Sequence, residues 1–218
     1  MVISTYQLQK NWSVWRKERG TPDISAAKSG KFNAVNFFWD NLQTTKDMTT
    51  ESEKVSIRHG RMEDAKVIAD IYNDYILKTS ITFETEAVSK ENREEWIQQF
   101  TEDGPYQLLV AEDAGKVIGF ASSVRYHTRA AYYTSVMPSI YLRKGETGRG
   151  IGKQLYTQLI DNLVKHPETH RAYALISLPN QASMAIHEKL SFQKVGILNE
   201  AGKKFGKYLS VQIMERSL

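Results

Sequence analysis

Hydrophobic and polar positions follow regular patterns along most of the chain. Residues 55–58 alternate as a β-strand does, and residues 64–76 then place apolar side chains on one helical stripe. Ser89 can cap a second helix that continues to residue 100, and the Gly104–Pro105 pair ends it. This part of the chain is therefore predicted as one strand followed by two helices.

A hairpin and an interrupted strand come next. Residues 107–111 and 116–121 predict the two strands of the hairpin, since a turn-forming run at residues 112–115 separates them. Residues 132–142 predict a further strand, which Pro138 interrupts. Because proline has no N–H to give to a ladder, we expect a bulge or a splayed strand edge there.

The remaining residues alternate between helical and strand patterns. Helices are predicted at residues 150–165 and 180–190, with a short buried strand at residues 173–176 between them. Two strands at residues 192–197 and 208–213 complete the chain. The order of these elements predicts an α/β fold, with a mixed sheet covered by helices on both faces.

The first 54 residues differ from the rest. We expect an N-terminal extension at residues 1–54 and a folded domain at residues 55–218. Three of the four tryptophans lie in the extension, which is more aromatic than a simple flexible tail. Two interpretations stay open. Either Met48 is the natural start and the preceding residues are not native, or the extension is a helical appendage that packs on the domain or on a partner.

Composition narrows the class of protein. A chain of 218 residues with 41% hydrophobic and 25% charged residues is typical of a globular domain. No apolar run approaches the roughly 20 residues that a membrane helix needs. The N-terminus also lacks the basic stretch and apolar core of a secretory signal. We therefore expect a cytoplasmic protein without membrane association.

The chain contains no cysteine, which excludes disulfides, thiolate zinc sites, iron–sulfur clusters and an acyl-cysteine intermediate. The formal net charge of +4 suits an anionic cofactor as well as it suits nucleic acid. Lysines and arginines are scattered rather than clustered in one arm. We accordingly expect no nucleic-acid partner and no metal.

The most informative segment is the glycine-rich stretch at residues 140–153, which joins a predicted strand to a predicted helix. Glycines let backbone N–H groups approach a ligand, and a helix start adds unpaired donors, so such a turn can cradle phosphate. The P-loop pattern fails at Thr147 and Gln154, and the Rossmann pattern fails at Lys153. A turn that binds no ligand is the competing interpretation.

The spacing Thr147-x-x-Gly150-x-Gly152 resembles the pyrophosphate loop of the GNAT superfamily of N-acetyltransferases, R/Q-x-x-G-x-G/A, with threonine at the first position. The family also has an asparagine after the next strand and a lysine near the end of the following helix, which Asn180 and Lys189 match. The resemblance implies a mostly antiparallel GNAT-type sheet and acetyl-CoA as co-substrate. It places Ile140, Tyr141, Leu142, Thr147, Gly148, Arg149, Gly150, Ile151, Gly152, Asn180 and Lys189 at the cofactor.

The predicted helix at residues 180–190 has a polar and an apolar face. His187 occupies the position where GNAT enzymes often have a tyrosine near the cofactor sulfur, so its imidazole can protonate the departing thiolate. A helix-surface histidine without a role is the competing interpretation. We expect the polar face to line the pantetheine arm and the apolar face to be buried. The polar face holds Asn180, Ser183 and His187, and the apolar face holds Ala182, Ile186 and Leu190.

Six short runs resemble the phosphinothricin and methionine-sulfone acetyltransferases. They are residues 71–75, 82–86, 150–152, 178–180, 187–190 and 204–208. The likeness covers the chain from residue 55 to the C-terminus. It implies a homodimer that acetylates the α-amine of a small amino-acid-like molecule by direct attack on the thioester.

The base of this reaction is the main departure from the subfamily. Related sequences have a glutamate where this chain has Met137, and methionine cannot accept a proton. Glu84 and Glu86 are candidate replacements, whereas ordinary solvated loop acids are the competing interpretation. A water relay or loss of activity also stays open.

The resemblance places the acceptor substrate near Phe83, Arg129, Ala130 and Ala131. Arg129 can pair with a carboxylate or phosphinate through two parallel hydrogen bonds, although an arginine on the surface without this role is also possible. Two other functions compete with the amino-acid acetyltransferase. One is acetylation of protein amines or polyamines, and the other is a non-catalytic acetyl-CoA-binding or regulatory module.

Overall fold

A computed structural model describes residues 55–218, so the predicted extension and its boundary lie outside the described residues. Four helices and seven strands follow one another in this range. The helices are α1 Ala65–Lys78, α2 Lys90–Ile97, α3 Ile151–Lys165 and α4 Gln181–Lys189. The strands are β1 Ser56–His59, β2 Leu108–Asp113, β3 Lys116–Arg125, β4 Ser135–Leu142, β5 Arg171–Ser177, β6 Gln193–Lys204 and β7 Lys207–Ser217.

All seven strands form one sheet in the order β1-β2-β3-β4-β5-β7-β6. Neighbouring strands are antiparallel except β4 and β5, which run parallel. The predicted mixed, mostly antiparallel sheet is confirmed.

Strands β4 and β5 are held together only at their first residues. Ser135 pairs with Arg171 and Val136 with Ala172, after which the two strands diverge. Pro138 lies just past this point in β4. The predicted splay is therefore confirmed, while the ladder between β3 and β4 continues through Pro138 without a bulge.

The hydrogen-bond pattern explains why a proline fits in β4. Bonds from Tyr126 N–H to Ser135 O and from Arg143 N–H to Ile118 O mark the two ends of the β3–β4 ladder. Since ladder bonds of an antiparallel pair fall on alternate residues, odd-numbered residues of β4 bond to β3 and even-numbered residues turn their backbone toward β5. The missing N–H of Pro138 therefore faces the splay and removes no bond to β3.

Helices cover both faces of the sheet, as predicted. Along β2, Leu108 and Val110 face α1 and α2, whereas Leu109 and Ala111 face α3. This alternation is the two-residue period of a strand that is buried on both faces. The leucine stripe of α3 that the sequence predicted is fully buried, with Leu155, Leu159 and Leu163 inaccessible.

Helix α2 is shorter than the sequence predicted. Ser89 caps it as expected, since its side chain accepts a hydrogen bond from the N–H of Asn92. The helix ends at Ile97 rather than at residue 100, because the N–H of Phe100 bonds to the carbonyl of Ile97 in a tighter turn. Phe100 still packs on Trp96, with ring centroids 4.6 Å apart.

Several strand boundaries also differ from the prediction. Residues Ala130–Tyr132 form a 3-10 turn, so β4 begins at Ser135 rather than at residue 132. Strands β6 and β7 are longer than predicted and meet at a two-residue turn, Phe205–Gly206, in which both residues have positive φ.

None of the helices in residues 55–218 is long and apolar enough to cross a membrane. In the same range, no group of three or more histidine or acidic side chains is arranged to hold a metal ion.

Candidate active site

A cavity of about 510 Å³ opens where β4 and β5 diverge. Its walls come from these two strands, from β3, β6 and β7, from α1, α2 and α4, and from the loop around residue 83. The side chains that line it include Tyr72, Thr82, Phe83, Arg93, Trp96, Met137, Ile140, Tyr141, Ser177, Asn180, Ser183 and His187.

The glycine-rich turn leads from β4 into the N-terminus of α3. Gly145, Gly148 and Gly150 have φ values of 95°, 85° and 80°, which side chains other than glycine rarely adopt. Gly150 is also the N-terminal cap residue of α3. A Cβ on any of these three glycines would meet no atom within 4 Å, so the space beside the turn at the helix start is open. This arrangement suits a phosphate group.

Ile151 and Arg149 of this turn can contact a ligand mainly through their backbone, because their side chains are already occupied. The side chain of Ile151 is buried in the core, and the guanidinium of Arg149 forms ion pairs with Asp113, at 2.7 Å, and with Glu146. These two carboxylates raise the pKa of Arg149. Thr147 is exposed in the turn, and Lys189 is exposed in the last turn of α4.

The three predicted positions on β4 differ in what they present to the splay. Ile140 is even-numbered, so its N–H and C=O point toward β5 without a strand partner there. The backbone of Leu142 is already used, since its carbonyl accepts from the hydroxyl of Tyr75 at 2.7 Å and its N–H donates to the same oxygen at 3.3 Å. Tyr141 bonds to β3 and stacks its ring on Phe120. Burial raises the pKa of Tyr141.

The polar face of α4, which was predicted to line the pantetheine arm, lines this cavity. The side-chain oxygen of Asn180 caps the helix by accepting a hydrogen bond from the N–H of Ser183 at 3.1 Å. The prediction for the opposite face was wrong in part: Ala182 is exposed, Ile186 is only partly buried and Leu190 is buried. The short helix instead buries His187, because its polar face turns inward toward α3.

His187 is 4% exposed and uses both ring nitrogens. Nδ1 lies 2.8 Å from the carbonyl oxygen of Ser183, and Nε2 lies 2.8 Å from the hydroxyl of Tyr156. A carbonyl oxygen only accepts, so Nδ1 carries the proton and Nε2 accepts from Tyr156. Burial lowers the pKa of His187, although the bond to Ser183 opposes this, and the ring is neutral near pH 7. The histidine is thus an interior residue rather than a helix-surface residue.

One buried polar atom of the cavity has no partner among the described residues. The hydroxyl of Ser177, at the end of β5, lies in the cavity wall and makes no hydrogen bond there. Buried hydroxyls without a partner are unusual and costly. A long polar ligand between β4 and β5 fits three features of the cavity. They are the open glycine-rich turn, the backbone N–H and C=O of Ile140 without a strand partner, and the hydroxyl of Ser177.

The other end of the cavity is closed by the loop that contains Phe83. Gly202 of β6 lies directly under the Phe83 ring, since a Cβ built on Gly202 would be 2.3 Å from Phe83 Cε2. The ammonium of Lys204 donates to the carbonyl of Thr82 at 2.7 Å. Burial lowers the pKa of Lys204, while the nearby charge of Glu84 acts in the opposite direction. The start of this loop is therefore held from β6.

The structure does not bring all predicted acceptor residues to the cavity. Phe83 and Met137 line it, but Arg129, Ala130 and Ala131 are exposed around the 3-10 turn and lie outside its wall. Glu84 is exposed beside Phe83 and also lies outside the wall. Within residues 55–218, no carboxylate lines the cavity.

Sequence reasoning missed Arg93 and Trp96, which line the cavity from α2. The guanidinium carbon of Arg93 lies 4.7 Å from the Trp96 ring centroid and 5.4 Å from that of Tyr72. The three-residue spacing between Arg93 and Trp96 puts both on one face of a helix, and this is the only local signal that the sequence offered.

Three comparisons with known proteins agree with this geometry. The family model described as "Acetyltransferase (GNAT) domain" matches residues 57–211. A phosphinothricin N-acetyltransferase of Streptomyces coelicolor is 44% identical over 76% of the chain and 97% of that protein. An L-methionine sulfoximine/L-methionine sulfone acetyltransferase of Pseudomonas aeruginosa is 33% identical over 75% of the chain and 94% of that protein.

Solved structures show the same architecture. A GNAT superfamily phosphinothricin acetyltransferase from Sinorhizobium meliloti, in complex with acetyl-CoA, superposes with a TM-score of 0.71 at 30% identity, over 75% of the chain and 88% of that chain. A putative acetyltransferase from Salmonella typhimurium with its cofactor acetyl-CoA also gives a TM-score of 0.71, at 30% identity, over 75% of the chain and 94% of that chain.

Proposed function

The chain belongs to the GNAT acetyltransferase family, and on that premise we propose that it acetylates the α-amine of a small amino-acid-like molecule of the phosphinothricin, methionine sulfone or methionine sulfoximine type. It is an acetyl-CoA-dependent N-acetyltransferase. The observation that carries the choice of acceptor is the 44% identity to a phosphinothricin N-acetyltransferase across 97% of that relative.

The residues of the splay and of the glycine-rich turn fit acetyl-CoA. We place its phosphates at the turn from Gly148 to Gly152 and at the start of α3, and its pantetheine arm along Ile140 and the Asn180 end of α4. When bound, acetyl-CoA supplies an acetyl group activated as a thioester. The chain itself must hold the acceptor amine near that group and exclude water. It must also guide the proton that leaves the amine and the proton that reaches the thiolate.

His187 is proposed to stabilise the departing thiolate by a hydrogen bond from its Nδ1–H, and the thiolate takes up the proton that Glu84 and water remove from the amine. Its proton is on Nδ1, on the side of cavity-lining Ser183, because the carbonyl oxygen of Ser183 can only accept, and Nε2 accepts from Tyr156. Burial raises the pKa of Tyr156, so this phenol stays protonated and keeps donating. The pair thus fixes one tautomer of the imidazole.

Glu84 is the proposed acceptor of the proton that the amine loses. Its carboxylate is close enough to Arg93 and Lys204 to counter the lowering of their pKa values by burial, and it adjoins Phe83 at the acceptor end of the cavity. A loop carboxylate can act through one water when it does not touch the amine itself.

Met137 favours a second candidate function. Its thioether lines the cavity where related sequences have a glutamate, and a site without a base there suits a module that binds acetyl-CoA without turnover. Turnover assays separate this candidate from the enzyme.

We also propose a homodimer, for which the exposed apolar side chains of edge strand β6 give support. Val195 and Ile197 are 57% and 52% exposed. Apolar side chains at an exposed strand edge are common at protein interfaces. Light scattering is expected to give twice the chain mass for the native protein and the single chain mass for the Val195→Lys/Ile197→Lys variant.

The deciding experiment measures thiol release from acetyl-CoA with purified full-length protein and a panel of amines. The panel holds phosphinothricin, methionine sulfone, methionine sulfoximine, the natural amino acids and polyamines. We expect turnover with the amino-acid analogues. Turnover with polyamines alone would contradict the proposed acceptor, and acetyl-CoA binding without any turnover would favour the binding module.

A further inference from the structure

Arg93 is a positive charge in the cavity wall that the reaction described above does not use. Its guanidinium lies against the rings of Trp96 and Tyr72 at 4.7 and 5.4 Å. Burial lowers the pKa of Arg93, and the nearby charge of Glu84 opposes this. Aromatic faces can support a guanidinium, but they leave its in-plane N–H groups unsatisfied.

The hydrogen-bond partners of Arg93 do not neutralise it. Nε and Nη2 donate to the side-chain oxygen of neighbouring Asn92, at 3.1 and 2.6 Å. Within residues 55–218, Arg93 forms no ion pair with any carboxylate, unlike Arg58, which binds both Asp64 and Glu112. A partly buried arginine without an anion in contact loses hydration and gains no direct ion pair in return.

The wall of the cavity offers no other fixed positive charge among the described residues. His187 is neutral near pH 7, and Arg129 lies outside the wall. A guanidinium presents parallel N–H groups that match the two oxygens of a carboxylate or a phosphinate. Arg93 is therefore suited to an anionic group that enters the cavity with a ligand.

We propose that Arg93 binds the carboxylate of the acceptor and thereby orients its amine toward the splay between β4 and β5. This inference rests on the proposed function and adds a requirement to it: the acceptor must carry an anion close to its reacting amine. Polyamines and lysine side chains within proteins lack such a group. The phosphates of acetyl-CoA are the other source of oxyanions, and we assign them to the glycine-rich turn.

The test compares each acceptor carboxylate with its carboxamide in the native protein and in three variants. Arg93→Gln removes the charge, and Arg93→Lys keeps the charge but lacks the two parallel N–H groups. Lys90→Gln is the matched control, because it removes a cation from the same helix that lies outside the cavity wall. KM and kcat are measured for both acceptors, and the dissociation constant of acetyl-CoA is measured by calorimetry.

We expect Arg93→Gln to raise KM for the carboxylate by about 10- to 100-fold, as for loss of a charge-assisted hydrogen-bonded pair. Arg93→Lys should recover part of this loss. KM for the carboxamide, acetyl-CoA binding and the thermal unfolding midpoint should stay within about twofold of native values, as should every value for Lys90→Gln.

Three outcomes would overturn the inference. Equal rises in KM for the carboxylate and the carboxamide acceptor would show that Arg93 only shapes the cavity wall. Weaker acetyl-CoA binding would assign it to the cofactor phosphates. Native protein that prefers the carboxamide would leave no role for an anion. Calorimetry with acceptor added to the protein–CoA complex makes the same comparison without turnover, so a protein that binds but does not acetylate would contradict only the proposed function.

Discussion

The hydroxyl of Tyr156 donates to Nε2 of His187 across 2.8 Å, between the middle of α3 and the last turn of α4. Tyr156 is fully buried, and its ring meets the imidazole edge-on at 5.1 Å between centroids. Because the carbonyl oxygen of Ser183 accepts the hydrogen bond from Nδ1, Nε2 is the acceptor nitrogen, and the tyrosine holds the ring by donating to it. Tyr156 is in this sense a positioning residue for His187, the proposed hydrogen-bond donor to the thiolate.

Replacing Tyr156 by phenylalanine should lower kcat about tenfold and leave KM for acceptor and acetyl-CoA nearly unchanged. The variant leaves Nε2 of His187 buried without its donor, which costs about 1–3 kcal/mol and removes one of the two hydrogen bonds that orient the ring. Steady-state kinetics across pH 6–9 would check this. Tyr208→Phe removes the hydroxyl of an exposed tyrosine and serves as the control. A higher KM without a change in kcat would contradict the positioning role.

The buried His187 should also make stability depend on pH. Its pKa is lowered below the usual 6.5, so between these two values the unfolded chain binds the proton more strongly than the folded chain. Stability is then full above pH 6.5 and falls as the pH drops, by at most about 1.4 kcal/mol per pH unit for one proton. Urea unfolding at pH 7.5 and pH 5.0 measures the drop.

The matched variant for this measurement is His187→Gln, which keeps a hydrogen-bonding side chain but does not titrate. Its loss of stability between the two pH values should be smaller than that of the native protein. Equal losses in both proteins would mean that other groups cause the acid sensitivity.

Gly202→Ala should weaken acceptor binding from a distance. The new Cβ would lie 2.3 Å from Cε2 of Phe83, so the ring must move out of the acceptor end of the cavity. We expect KM for the acceptor to rise about tenfold, with little change in stability because only the ring has to shift. Gly196→Ala on the same strand meets nothing within 4 Å and should behave as the native protein. Equal KM values for the two variants would rule out a role for Phe83 at the acceptor.

Local patterns predicted much of the fold and the strand–turn–helix segment to which we assign the cofactor. The leucine stripe of α3, the Ser89 cap and the strand–glycine turn–helix order each depend on residues close in sequence. The acceptor end depends on contacts that leave no such pattern. Lys204 bonds to Thr82 across 122 residues, and Tyr156 meets His187 across 31. Arg93 was missed for the same reason, since only the packing of α2 against the sheet places it at the cavity.

Gly150→Ala should weaken acetyl-CoA binding about fivefold or more. Gly150 has φ of 80° at the N-terminus of α3, and alanine in this region costs about 1 kcal/mol or shifts the turn. Gly115→Ala imposes the same strain at φ 75° in the β2–β3 turn and is the matched control. Both variants should lose similar stability, but only Gly150→Ala should change the dissociation constant in calorimetry. Equal dissociation constants would move the phosphates away from this turn.

Met137→Glu should raise kcat/KM at least tenfold if the amine proton limits the reaction. The side chain at this position faces the cavity, and no carboxylate among the described residues lines it. Burial raises the pKa of a carboxyl group toward neutrality, which makes it a better base for an ammonium substrate.

The uncharged control is Met137→Gln, which has nearly the same shape and should not gain activity. In the glutamate variant alone, kcat/KM measured over pH 5–9 should show a new fall at low pH, where the added carboxylate becomes protonated. Equal rates for both variants would mean that the native enzyme already has an adequate base. Glu84→Gln then becomes the deciding variant. A lower kcat that no longer falls at low pH would assign the base to Glu84. Unchanged kinetics would mean that water removes the proton.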